Sequence, residues 1–163
     1  MLKKYPFYTV SLIVLAIVQQ FVVSKLVIFG ATPDILAVFI AFTSVMLGQR
    51  TGTNYGFAAG LFLGFLSGNI GLSALVGTVE GFLAGYYHVP EESYATTVKK
   101  RRMFYFASAT ALVAGNLLFA LLINPMAVPL YFRIPSLLVI GTLSSMVLTV
   151  LMYQLVLKKL QKD

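Results

Sequence analysis

The chain has no cysteine, which excludes disulfides and thiolate metal sites and leaves its redox compartment unmarked. Histidine is nearly absent too: His88 is the single one. It falls at the end of an apolar segment, where it reads as a flexible interfacial residue. There is no HExxH, no nucleotide-binding loop and no pair of carboxylates spaced for general acid/base work. Ser67 and Ser73 have no histidine near them in sequence or topology to activate a hydroxyl. Charge is scarce as well. Only 10% of the 163 residues are Asp, Glu, Lys or Arg, against roughly 25% in a soluble globular domain. These absences point away from an enzyme and imply neither a metal nor an organic cofactor.

What is present is apolar. Hydrophobic residues make up 59% of the chain, and the mean hydropathy is +0.90. The length leaves room for one membrane domain, residues 1–163, and for no sizeable soluble one. Lys3 and Lys4 precede the first apolar run, as in a signal peptide, but the run is too long and lacks a clear small-residue cleavage site, so it is expected to be a retained span. Glycine recurs at every fourth position in Gly48, Gly52, Gly56, Gly60, Gly64 and Gly68, and again in Gly77, Gly81 and Gly85. An interior glycine costs a soluble helix about 1 kcal/mol relative to alanine. In a bilayer the same spacing lets helix backbones approach closely, and van der Waals packing holds them together.

Breaks at Gly, Pro and charge divide the chain into six predicted spans, at about 7–29, 34–49, 53–67, 72–87, 103–123 and 134–157. The second opens on a helix-start motif: Thr32 as cap, Pro33 in the first position and Asp34 near the positive end. The second to fourth are short: either all are short spans in a thinned bilayer, or the third and fourth form a re-entrant hairpin bent at residues 67–71. Lysine and arginine fix the orientation. With the N-terminus inside, Lys3, Lys4, Arg50, Lys99, Lys100, Arg101, Arg102, Lys158, Lys159 and Lys162 are cytoplasmic, and only Lys25 and Arg133 are outside. Both termini are then cytoplasmic. The net charge of +7 calls for no nucleic acid; the 99–102 run reads as a topology anchor near anionic membrane lipids.

Helical rotation sorts the fourth span into a small face (Ser73, Gly77, Glu80, Gly81, Ala84, Gly85) and a bulky one (Leu72, Leu75, Val76, Val79, Phe82, Leu83, Tyr86). The third gathers Gly56, Gly60, Gly64 and Ser67 on one side. Glu80 is the one carboxylate expected near mid-membrane, where a charge costs about 3 kcal/mol on insertion scales. It is either a buried site for a partner or ligand, or a neutral carboxyl bonded within the bundle to Gln19, Gln20 or Asn116.

The order of motifs resembles the MreD family of rod shape-determining membrane proteins. Gln20 precedes Gly30-x-x-Pro33-Asp34. Then come Gly56-x-x-x-Gly60-Leu61-Phe62-Leu63-Gly64-Phe65-Leu66-Ser67-Gly68, Gly71-Leu72-Ser73-Ala74-Leu75 and Gly81-Phe82-Leu83-Ala84-Gly85. The resemblance covers residues 20–85. One departure is that Gly64 stands where the family commonly has an acidic residue, so any role of that acid does not carry over. The resemblance implies a compact six-helix transmembrane bundle, similar to the substrate-binding subunits of energy-coupling-factor vitamin transporters. It also implies a non-enzymatic component of the bacterial inner membrane, part of the elongation (rod) complex that supports lateral peptidoglycan synthesis and cell shape. Its implied partner is the transmembrane helix of MreC, alongside RodA, a class B penicillin-binding transpeptidase and MreB. On this reading a groove of Gly56, Gly60, Gly64, Gly77, Glu80, Gly81 and Gly85 would receive that helix; the alternative use of the glycine band is to pack the third span against the fourth. The alternative is a vitamin-binding transporter subunit, against which the short, apolar outer loops weigh.

Overall fold

The computed structural model describes residues 5–28, 31–90, 96–123 and 129–154. The assignments made above for Lys3, Lys4, Gly30, Lys158, Lys159 and Lys162, for the side chain of Arg133 and for the outer segment 124–128 lie outside these residues. The described chain is all-helical, with an isolated bridge between Ile28 and Ala31. Six helical stretches follow one another: α1 (Tyr5–Phe21), α2 (Ile35–Leu47), α3 (Gln49–Ser67), α4 (Ile70–Ala84), α5 (Thr97–Leu122) and α6 (Leu130–Met152). Three are long and apolar enough to cross a membrane: α1 with its extension to Lys25, α5 and α6.

Each boundary has a local cause. α1 stops at Phe21, short of the expected residue 29, and passes into a 3-10 turn at Val23–Lys25. There the Ser24 hydroxyl donates to the Gln20 carbonyl, and such side-chain bonding competes with regular helix. α2 is capped by Asp34, not by the expected Thr32. The Asp34 backbone is extended (φ −118°, ψ 98°), and its carboxylate accepts from the Ala37 amide at 2.9 Å. That is N-cap geometry, so Pro33 lies just before the helix and not in its first turn. The turn between α2 and α3 is made by Gly48 alone, at φ +94°, a value that favours glycine. Arg50, expected in that turn, is exposed in the first turn of α3.

α5 begins at Thr97, several residues before the expected 103, because Thr96 caps it by accepting from the Lys99 amide at 3.4 Å. Its 26 residues reach about 39 Å at 1.5 Å each, more than a hydrocarbon core of about 30 Å. The run Lys99–Arg102 is therefore a helical extension and not a loop. Arg101 and Arg102 lie over the rings of Tyr153 and Phe106, at 5.7 and 5.5 Å. Within α6, Pro135 has no amide to donate, and the next turn, Ser136–Gly141, widens to π-helix before α geometry resumes at Thr142.

α2 is the centre. Ten of its 13 residues are buried, the pattern of a helix enclosed on all sides. Phe39, Ile40 and Phe42 pack with Leu12 and Ala16 of α1, Ala59 of α3 and Phe104 and Leu112 of α5. α3 and α4 form an antiparallel hairpin joined by Gly68, at φ +80°, and Asn69. Arg50, the α5 basic run and His88 share one end of the molecule; Lys25, Asp34 and the Gly68 turn lie at the other. Val76, sorted by periodicity onto the bulky face, is instead buried. Exposed apolar side chains cover the outside, among them Val10, Val14, Phe65, Phe82, Leu143 and Val147.

Ser108 is fully buried, and its hydroxyl has no hydrogen-bond partner among the described residues. Ser108→Ala should raise stability by about 1 kcal/mol, read as a higher midpoint in detergent unfolding. A Cβ at Gly60 would strike the Ser73 carbonyl and the Ala74 backbone, whereas at Gly71 it would meet nothing within 4 Å. Gly60→Ala should therefore cost about 2 kcal/mol or more, and Gly71→Ala should match or slightly exceed the wild type in the same assay.

Candidate functional site

The functional residues expected from sequence fall into two places. The first is the helix-start motif. Pro33 and Ile35, on either side of Asp34, are tied to α1 by Gln19: its side-chain nitrogen donates to the Pro33 carbonyl, and its oxygen accepts from the Ile35 amide, both at 3.0 Å. From α6, the Ser145 hydroxyl accepts from the Asp34 amide at 2.8 Å. Three helices, α1, α2 and α6, thus meet on Pro33, Asp34 and Ile35. The residues leave Gln19 and Gln20 both open as interhelical hydrogen-bonding groups, and the resemblance rests on Gln20; the clamp is Gln19, which is buried where Gln20 is half-buried. A signal was available, because Leu12, Ala16, Gln19 and Val23 fall on one helical stripe and all are buried.

The second place is the glycine seam. Gly56 opposes Gly77, Gly60 opposes Ser73 and Ala74, Gly64 opposes Ile70, Gly81 opposes Gly52, and Gly85 opposes Gln49. At every pair an added Cβ would meet the backbone of the facing helix. The seam extends to α2 through Ser44, whose hydroxyl lies 2.8 Å from the Ile40 carbonyl and 3.1 Å from the Gly81 carbonyl. The expected groove is therefore not open: these glycines are closed by α3 and α4 on each other, and no space for a partner helix is left between them.

Glu80 stands apart from the seam glycines. It is 3% exposed, and its carboxylate lies against Gly115 of α5, where any side chain would collide with it. None of the expected partners reaches it. Gln19 is engaged at Pro33 and Ile35, and the Asn116 amide donates to Thr142 at 3.2 Å. Among the described residues Glu80 makes no hydrogen bond or ion pair. Instead it borders a cavity of about 20 Å³ between α2, α3, α4 and α5. Asp34 and Ser73 line the same space, with Gly60, Val76 and Phe119 among the apolar walls. The arrangement joins the two sequence motifs: the capping carboxylate and the buried glutamate face one void. Residues 62–68 add no carboxylate to it.

His88 is held rather than flexible. Its Nδ1 donates to the Val45 carbonyl at 2.8 Å, and its ring covers Gly48. It therefore pins the turn between α2 and α3 to the end of α4. Among the described residues no three His, Cys, Asp or Glu side chains gather as metal ligands. No family model, no curated protein and no solved structure matches the chain.

Gln19→Ala should cost about 2–3 kcal/mol, because it strands the Pro33 carbonyl and the Ile35 amide inside the bundle. Gln20→Ala should fall within about 0.5 kcal/mol of wild type. Detergent unfolding of the two proteins side by side makes the comparison, and equal losses would mean the clamp contributes nothing.

Proposed function

We propose that the protein is a non-enzymatic, multi-pass component of the bacterial cytoplasmic membrane that fills the MreD role in the rod complex. In this role it binds the transmembrane helix of MreC and supports lateral peptidoglycan synthesis together with RodA, a class B penicillin-binding transpeptidase and MreB. One observation carries the reading. The residues behind the resemblance, Pro33-Asp34 and the glycine ladder, are the ones that knit the helices together. A motif set whose use is rigid helix packing suits a scaffold. Three helices of membrane-spanning length and a basic end at Arg50 and Lys99–Arg102 agree with a cytoplasmic-side anchor.

The reading differs from the sequence expectation in one respect. With the glycine seam filled, the MreC helix rests on an outer apolar face and not between α3 and α4. The transporter-like bundle belongs to the same proposal, but a vitamin-binding role gains no support. A cavity of about 20 Å³ is far below the roughly 300 Å³ at which small-molecule pockets begin.

Co-expression with the MreC protein of the same genome provides the test. The tagged chain should retain MreC through detergent purification, and its depletion should round the cells. Failure of both results sinks the reading. A small molecule copurifying in native mass spectrometry would transfer support to the transporter alternative.

A further inference from the structure

We propose that the cavity bounded by α2, α3, α4 and α5 is a site for one sodium-sized alkali cation, held between Asp34 and Glu80. The case begins with Glu80, a carboxylate 3% exposed that has no hydrogen-bond partner among the described residues and borders the void. Leaving such a group ionised and unpaired in an apolar interior is costly. Gly115 gives it room, because a side chain there would occupy the place of Oε1. Asp34 contributes the second carboxylate. Its Oδ1 accepts from the Ala37 amide, and the residue lines the same space as Glu80. The third polar wall is the Ser73 residue.

The lining contains no lysine, arginine or histidine, so no side chain bordering the void supplies the opposing charge. The donors are all hard oxygens, which select hard cations over transition metals. A volume of about 20 Å³ admits one water-sized particle. One small monovalent ion fits the space and balances one carboxylate, the other carboxyl keeping its proton and offering its carbonyl oxygen.

The site is independent of MreC binding, so the two readings fail separately. The test uses the purified full chain in detergent at pH 8. Radiolabelled sodium should bind saturably, and the unfolding midpoint should rise by several degrees in sodium chloride relative to choline chloride of equal ionic strength. Glu80→Gln keeps the side-chain shape, and Asp34→Asn keeps the capping oxygen. Each should abolish both the binding and the salt response while the far-ultraviolet circular dichroism stays helical. If the wild type shows identical midpoints in the two salts and no saturable sodium, the cavity holds water beside a protonated carboxyl and the proposal is overturned. A sodium response that survives in either folded variant overturns it equally.

Discussion

Backbone-to-backbone contact between α3 and α4 is the constraint on which the rest of the molecule depends. Gly56 and Gly77 lie against each other's peptide groups, with Gly60 against Ser73 and Gly81 against Gly52 continuing the line. Two helices that approach this closely maximise dispersion contact without any side chain between them. Such an approach leaves little freedom in the rotation of either helix. Once Gly77 and Gly81 face α3, Glu80 follows on the same side of α4 and is carried inward. The burial of the one mid-helix carboxylate is thus a by-product of glycine placement.

Beside the direct packing of α4 on α5, the hairpin is held to the rest of the bundle by α2. That helix is apolar on every side and sits among α1, α3, α4 and α5. Its two ends are fastened by different means. At one end Gln19 and Ser145 satisfy backbone groups that a helix start leaves open. At the other, Gly48 turns the chain sharply and His88 bonds the Val45 carbonyl. Side-chain hydrogen bonds therefore replace loop length as the means of holding the central helix.

Much of this was legible in the sequence. Helix number, the glycine faces and the inward side of α4 follow from periodicity and residue size. The boundaries were less legible because they rest on short-range competition: Ser24 bonding back to Gln20, Thr96 capping α5, Asp34 displacing Thr32 as the cap. Each is one hydrogen bond among several that the local sequence permits. The choice of Gln19 over Gln20 turned on which residue shares a stripe with Leu12 and Ala16, a question of rotation and not of composition. The cavity was not legible at all. A void is set by what four helices fail to fill, and Val76, assigned to lipid by its periodicity, lines it.

The seam also acts as a gauge of position along the helix axis. Its glycines recur every four residues on both sides, so a slide of about 6 Å is the shortest that sets glycines opposite one another again. Two keyed positions exist in principle, as on a ratchet. The link at Gly68 and Asn69 has no slack to supply such a step. The shortness of that turn, which contributes no packing of its own, selects one tooth of the ratchet and fixes the height at which Glu80 meets Gly115.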